Sequence, residues 1–90
     1  MIFLYLIMIY DVNKKRVGKV LKVARKYLKW VQNSVLEGKI TKSNFETLRN
    51  QILSIIDEDE DTIYWYILEP EFVPYRKIYG NKKINVTNII

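Results

Sequence analysis

The sequence contains no cysteine and no histidine, and it has only three glycines and two prolines. Without cysteine the chain can form neither disulfides nor zinc–thiolate sites, and thiol catalysis is excluded. The missing histidine removes imidazole catalysis and the usual ligand of zinc and iron sites. Any bound metal would therefore be a hard cation held by oxygen atoms, such as Mg²⁺, Mn²⁺ or Ca²⁺.

The length and the charge balance predict one small basic domain. The chain has 90 residues, of which 15 are Lys or Arg and 10 are Asp or Glu, so its net charge is +5. A chain of this length buries only about 60–65% of its extended surface, and a second chain would help its modest core. Hydrophobic residues make up 49% of the sequence, which is too many for a disordered chain.

The N-terminal residues 2–10 are apolar at every position. They lack the basic segment and the small-residue cleavage site of an export signal. As a helix they would be too short to cross a bilayer. We therefore predict a strand of a cytoplasmic protein with no membrane segment. A strand covered on one face alternates apolar and polar residues, so this uninterrupted run predicts that both faces are covered.

Two stretches have the period of amphipathic helices. In residues 13–29 apolar residues recur every three or four positions, and Asp11 or Asn13 can cap the start of such a helix. Ser43 and Glu46 have the spacing of a capping box that begins a second helix. The acidic run that follows, DEDED, is predicted to be a solvated turn.

Extended segments lie between and after the helices. Residues 31–40 and 62–68 are predicted strands, and the second is β-branched and aromatic throughout. If Gly38 divides the first segment into two strands, the order becomes βαββαβ, which is the ferredoxin-like α+β arrangement. Residues 75–79 and 84–89 are predicted to add C-terminal strands.

The predicted layout has consequences for domain organisation and for assembly. We expect residues 1–80 to form the ferredoxin-like domain and residues 81–90 to form a C-terminal strand that pairs with a partner subunit. Both helices cover one sheet face, so the other face stays bare and apolar. A bare apolar face of that size normally marks an interface, and we expect a homodimer in which sheet packs against sheet.

Asp11 stands at the C-terminal end of the first strand, where ligands gather in open sheets. It shares strand parity with four apolar residues, Phe3, Tyr5, Ile7 and Ile9. One interpretation is that Asp11 only caps the helix or starts the turn. The other is that it binds a divalent cation, for which two copies across a two-fold axis would supply the carboxylates that Mg²⁺ needs.

The first helix is strongly basic. Eight Lys and Arg residues fall between positions 14 and 29, with no acid between Asp11 and Glu37. Such a stripe fits the backbone of a nucleic acid, DNA or RNA, although basic residues can also simply solvate an outer face. The candidate nucleic-acid contacts are Lys14, Lys15, Arg16, Lys19, Lys22 and Lys26.

The aromatic run Tyr64, Trp65 and Tyr66 also has two interpretations. Aromatic residues on a four-stranded sheet can stack RNA bases. They can equally pack in the core or between subunits, and no RNA-recognition signature or glycine-rich phosphate loop accompanies them. We therefore favour packing.

Two segments together resemble the CRISPR-associated Cas2 family. One is the apolar strand that ends in Tyr10-Asp11-Val12, and the other, about twenty residues later, is Val-Gln-Asn-Ser-Val-Leu-Glu-Gly at 31–38. The family has a strand ending in Y-D-[IV], a helix, and a stretch similar to R-[IV]-Q-x-S-V-F-E. Two positions depart from that pattern: Trp30 replaces the basic residue and Leu36 replaces the Phe. The missing Arg would weaken phosphate binding near the site.

The resemblance implies a fold, a role and a site. It implies a ferredoxin-like homodimer that joins the Cas1 integrase, spans duplex DNA, and helps to insert new spacers into CRISPR arrays. It also implies a Mg²⁺- or Mn²⁺-dependent endonuclease that acts on RNA or DNA. The metal carboxylate would be Asp11, at the dimer interface, beside Tyr10 as a second catalytic residue.

Three hypotheses about function follow from the sequence. The first is a dimeric DNA-bridging scaffold with little catalysis. The second is a metal-dependent phosphodiesterase built on the paired Asp11 residues, to which toxin-like RNA endonucleases of similar fold are related. The third is a sequence-nonspecific RNA-binding module that uses the basic helix or the aromatic strand.

Overall fold

The apolar N-terminal run forms a central strand of a four-stranded antiparallel sheet. The computed structural model describes residues 2–69, whose elements are β1 (Phe3–Asp11), α1 (Lys14–Ala24), β2 (Lys29–Gln32), β3 (Val35–Thr41), α2 (Lys42–Leu53) and β4 (Thr62–Leu68). The strand order is β2-β3-β1-β4, and β1 pairs with both β3 and β4. This is the predicted ferredoxin-like βαββαβ arrangement. The predicted C-terminal strands and tail lie outside the described residues.

The core lies between the two helices and one face of the sheet. Leu6, Met8 and Tyr10 of β1 are buried there, because alternate residues of a strand point to the same face. The helices supply the opposite wall of this core with Val20, Ala24, Phe45, Leu48 and Ile52. Burying such a side chain fully stabilises the fold by about 1.5–3 kcal/mol.

α1 begins where the sequence predicts and ends earlier. The side chain of Asn13 caps it, with Oδ1 accepting the N–H of Lys15 at 2.9 Å. The helix stops at Ala24 instead of running to residue 29, because the chain has to turn back into β2. Tyr27 and Leu28 still pack against the core, so the apolar period continues past the end of the helix.

A two-residue turn, and not Gly38, divides the second extended segment. Asn33 lies at the turn with a φ of 34°, a left-handed conformation that Asn tolerates better than most residues. Its carbonyl oxygen accepts two hydrogen bonds, from the Tyr10 hydroxyl at 2.9 Å and from the Trp30 indole N–H at 2.7 Å. Gly38 stays inside β3 opposite Leu6. The sequence therefore predicted the division but placed it at the wrong residue.

α2 follows β3 directly, and its N-cap is not the predicted one. Thr41, the last residue of β3, caps the helix, with its Oγ1 accepting the N–H of Asn44 at 3.0 Å. Ser43 is already helical, because β3 runs straight into the first turn. Within residues 2–69, neither helix is long and apolar enough to cross a membrane.

Candidate functional site on the open sheet face

The sheet face that points away from the helices, called the open face below, is apolar along its central strands. Phe3, Tyr5, Ile7 and Ile9 of β1 share this face, as their parity predicts. On β4, Tyr64 lies opposite Ile9, and Tyr66 lies opposite Ile7. The two tyrosines are 54% and 53% exposed. The open face therefore presents large apolar surfaces that the described part of one chain leaves accessible.

Polar residues of β3 lie on the same face. Glu37 is opposite Ile7, and Lys39 is opposite Tyr5. The Tyr5 hydroxyl donates a hydrogen bond of 2.6 Å to Glu37 Oε2. The Lys39 ammonium lies 4.6 Å from the centre of the Phe3 ring, which is within the range of a cation–π contact. The open face thus combines an apolar centre with polar groups along β3.

Asp11 ends the apolar column of β1. It is the last residue of the strand, it is exposed, and it lies opposite Thr62 of β4. An accessible carboxylate is a suitable ligand for Mg²⁺ or Mn²⁺. Within residues 2–69 no group of three or more metal-ligating side chains comes together. A metal held at Asp11 would therefore need further ligands from outside the described residues of this chain.

Tyr10, the other predicted catalytic residue, lies on the opposite face of the sheet from Asp11. Its side chain is 7% exposed and belongs to the core under the helices. The hydroxyl donates to the Asn33 carbonyl oxygen, and burial raises the pKa of the phenol. The structure therefore does not bring the two side chains together, because successive residues of a strand point in opposite directions.

The predicted basic stripe divides at the end of α1. Lys14, Lys15, Lys19 and Lys22 are exposed on the helix, whereas Lys26 is exposed in the turn that follows. Lys29, which would have continued the stripe, begins β2 opposite Glu37 and lies on the open face. The helical part of the stripe is therefore shorter than the sequence predicts, and its four lysines occupy the outer layer of the domain.

Arg16 differs from the other cations of α1 because it is held by two carboxylates. Its Nε lies 2.6 Å from Asp61 Oδ2, and its Nη2 lies 2.8 Å from Glu60 Oε1. Hydrogen bonds to these carboxylates raise the pKa of Arg16, and the bond from Arg16 holds the pKa of Asp61 well below its usual range. The guanidinium is thus engaged in ion pairs within the chain.

Sequence reasoning missed two residues of this region. Asp61 was predicted to lie in a solvated turn, but its side chain is fully buried against Arg16. No local pattern separates it from its acidic neighbours, because its partner is 45 residues away. Arg25 was also missed. Its guanidinium lies 5.6 Å from the centre of the Trp30 ring. A cation therefore lies beside Trp30, the position at which the family pattern has a basic residue.

These features define a small ferredoxin-like α+β protein with a basic outer helix and an open apolar face that ends in a carboxylate. The chain belongs to the CRISPR-associated Cas2 family. The family described as CRISPR associated protein Cas2 matches residues 4–72.

Individual relatives agree over most of the chain. The CRISPR-associated endoribonuclease Cas2 of Thermotoga maritima is 53% identical over 80 residues, which cover 89% of this chain and 92% of the relative. The protein of the same name from Dictyoglomus turgidum is 51% identical over 80 residues, with the same coverage of both chains.

Solved structures carry the same fold. A crystal structure of a Cas2 protein superimposes with a TM-score of 0.81 at 36% identity and covers 98% of this chain and 99% of its own. The Cas2 protein of Streptococcus pyogenes superimposes with a TM-score of 0.66 at 36% identity, covering 71% of this chain and 84% of its own. The family and the ferredoxin-like fold predicted from the sequence are both confirmed.

Proposed function

We propose that this protein is a homodimeric, nucleic-acid-binding subunit of CRISPR spacer acquisition that bridges DNA within a complex with the Cas1 integrase. The open face carries this proposal. It is an apolar surface on the side of the sheet opposite the core. The basic helix α1 lies on the other side, with the core between it and the sheet. Two chains packed through their open faces would therefore present two basic surfaces that point away from each other.

The exposed tyrosines of β4 support pairing between two copies. Tyr64 and Tyr66 are more than half exposed in one chain, and each lies beside an isoleucine of β1. Tyrosine is enriched at interfaces because it buries a large ring and keeps a polar hydroxyl. A two-fold axis through this face would bring the same residues of both chains into contact.

The lysines of α1 support binding to the phosphate backbone. Lys15, Lys19 and Lys22 are exposed and recur at four- and three-residue steps along the helix. None of them has an acidic partner among the described residues. Point charges without a base-reading element favour binding that does not depend on sequence.

Reconstitution with Cas1 tests the bridging role. Purified protein is mixed with a matching Cas1 and a DNA substrate, and spacer integration is measured with and without it. We expect integration to require this protein, and we expect Lys19→Glu to weaken DNA binding for all sequences alike. Each lost phosphate contact should reduce the slope of log affinity against log salt by about 0.9.

Lys42→Glu is the matched control for this experiment. Lys42 is exposed at the start of α2, and its substitution changes the net charge by the same amount. If both substitutions weaken binding equally, net charge alone explains the effect. Integration that proceeds without this protein would contradict the bridging role.

We also propose a metal-dependent endoribonuclease activity at the paired Asp11 residues. Its support is the position of an exposed carboxylate at the end of the open face, together with the name endoribonuclease that the relatives carry. A bound Mg²⁺ or Mn²⁺ would polarise a phosphodiester and lower the pKa of water. Across the two-fold axis, each Asp11 would supply one ligand oxygen and orient the phosphate between the chains.

The residues of this chain set limits on that chemistry. Two nearby carboxylates repel each other when both are ionised, so their pairing favours a cation between them. With no histidine in the sequence, protons must move through water or through a carboxylate. We therefore expect slow cleavage that depends on the divalent cation and on pH.

Asp11→Asn tests the nuclease role. The amide keeps the shape of the side chain and removes its charge, so metal-dependent RNA cleavage should be lost. The dimer, DNA binding and Cas1-assisted integration should be retained. Undiminished cleavage by Asp11→Asn would exclude this carboxylate as the site.

A further inference from the structure

We infer that Asp61 is a positioning residue for Asp11: its buried carboxylate holds the turn from Asp11 to Asn13 in the geometry that the nuclease site needs. This inference rests on the proposed nuclease function. It concerns a residue in the loop before β4, which does not belong to the open face. Its support is the hydrogen bond from the backbone N–H of Asn13 to Asp61, whose carboxylate Arg16 and Asp57 hold in place through three further hydrogen bonds.

The Asp61 carboxylate is saturated with hydrogen bonds. Oδ1 accepts from the backbone N–H of Asn13 at 2.8 Å and from Arg16 Nη2 at 3.1 Å. Oδ2 accepts from Arg16 Nε at 2.6 Å and from the backbone N–H of Asp57 at 2.9 Å. Its side chain has no exposure to solvent. A buried carboxylate with two oxygens offers about four acceptor sites, and all four are used here.

The turn from Asp11 to Asn13 is fixed at both ends, by strand pairing at Asp11 and by Asp61 at Asn13. Asp11 is paired with Thr62, the residue directly after Asp61. Two residues further along, Asn13 is bound to Asp61 through its N–H and caps α1 with its side chain. Only Val12 lies between these two points, and it packs against the core. The direction of the Asp11 side chain is therefore set by a backbone that strand pairing holds at Asp11 and that Asp61 holds at Asn13.

Arg16 completes the arrangement from the first turn of α1. Its fork binds both oxygens of Asp61 and also reaches Glu60, so it aligns the carboxylate toward Asn13. Asp61 in turn is fixed within its own loop, where its N–H bonds to the Asp57 carbonyl at 2.7 Å. The loop before β4 and the turn after β1 are thus joined by one network.

Two substitutions disturb this network in different ways. Asp61→Asn keeps the size of the side chain but removes its charge. The NH2 group of the asparagine would then face an N–H donor where Asp61 has an acceptor oxygen. Arg16→Lys keeps the positive charge and loses the planar fork that binds both carboxylate oxygens. Glu58→Gln is the matched control, because Glu58 is an exposed residue of the same acidic run and its charge change equals that of Asp61→Asn.

The first readout is amide hydrogen exchange in the full-length protein. We expect the N–H of Asn13 to exchange about tenfold faster or more in Asp61→Asn, since it loses an acceptor that carries a charge. The N–H of Met8, in the middle of β1, reports global opening and should change less. The second readout is RNA cleavage with Mg²⁺ or Mn²⁺. We expect kcat to fall by about 10- to 100-fold with little change in KM, as for a misplaced catalytic group.

The outcomes separate the inference from the nuclease proposal. If the unsubstituted protein cleaves and both variants lose kcat while Glu58→Gln does not, the inference is supported. A loss confined to KM, or equal acceleration of exchange at Asn13 and Met8, would overturn it, since either result means a binding or purely structural role. If the unsubstituted protein cleaves no better than Asp11→Asn, the nuclease proposal fails. Hydrogen exchange at Asn13 in Asp61→Asn then tests by itself whether Asp61 fixes the turn. Faster exchange supports this role, and unchanged exchange overturns it.

Discussion

The two faces of one sheet use the same strand for different purposes. On the helix side, Leu6 and Met8 of β1 are fully buried within a single chain. On the open face, the alternate residues Ile7 and Ile9 are only half-buried, and the tyrosines of β4 beside them are exposed. Both sets of side chains are apolar. The difference lies in what covers them, which is two helices of the same chain on one side and, as we propose, a second chain on the other.

This difference separates the residues that make the fold from those that make the site. The buried face needs well-packed side chains of defined shape, because a protein interior is as dense as a molecular crystal. The open face, on our proposal, has to match the same face of a second chain across a two-fold axis. Substitutions on the two faces should therefore have different results, even when the residues are close neighbours on β1 and β4.

The largest effect is expected from Leu6→Lys. Leu6 has no exposure to solvent, so the substitution buries a charge without a partner, at a cost of several kcal/mol. Because a small domain is stable by about 5–15 kcal/mol, we expect the variant to be largely unfolded. Far-ultraviolet circular dichroism and thermal unfolding measure this. A cooperative transition near that of the unsubstituted protein would show that the helix-side core is less essential than its burial indicates.

Tyr66→Lys, which places the same side chain on the open face, should leave each chain folded and weaken the dimer. The lost burial of apolar surface weakens the binding free energy by roughly 1.5 kcal/mol per subunit, and the loss occurs twice because a two-fold interface contains Tyr66 from both chains. The dissociation constant should rise by about 100-fold or more, as measured by sedimentation equilibrium. A variant that dimerises as tightly as the unsubstituted protein would remove Tyr66 from the interface.

Acidification should weaken the network around Asp61. The pKa of this carboxyl is lowered in the folded protein, mainly by its hydrogen bonds from Arg16. Its contribution to stability is therefore complete above the ordinary carboxyl pKa, about 4, and it declines as the pH falls below that value. The difference in Tm between the unsubstituted protein and Asp61→Asn should accordingly be largest near neutrality and shrink toward pH 2. A constant difference would mean that the charge of Asp61 does not stabilise the fold.

The smallest effect on stability is expected from Tyr10→Phe, which tests whether Tyr10 acts in the core or in catalysis. Loss of the hydroxyl removes one of two hydrogen bonds to the Asn33 carbonyl, and this should cost about 1 kcal/mol. Because the ring lies on the helix side, RNA cleavage should persist. A fall in kcat as large as that of Asp11→Asn, with the fold intact, would return Tyr10 to the catalytic site.

Much of the fold could be predicted from local patterns. The parity of β1 correctly placed Asp11 with Phe3 and Ile9 on one face, and the β-branched and aromatic run at 62–68 coincides with β4. The order of two helices and four strands then specified the ferredoxin-like arrangement. These predictions succeeded because periodicity depends on burial, which acts along the whole length of an element.

Other features depend on contacts that no local pattern reveals. The turn at Asn33 is held by hydrogen-bond donors from Tyr10 and Trp30. The division was predicted at Gly38 only because that residue is a glycine. The end of α1 was overestimated because Leu28 continues the apolar period beyond the helix. The burial of Asp61 follows from Arg16, which is far away in the sequence but near in the fold.

Cross-linking at Asp11 tests most directly whether the open face joins two chains. The sequence has no cysteine, so Asp11→Cys introduces a single thiol, and Lys22→Cys places one on the outer helix as a control. With a short bismaleimide at micromolar protein concentration, we predict a covalent dimer in high yield for Asp11→Cys and little for Lys22→Cys. A chain that stays monomeric at Asp11, or that cross-links equally well at Lys22, would contradict pairing through the open face.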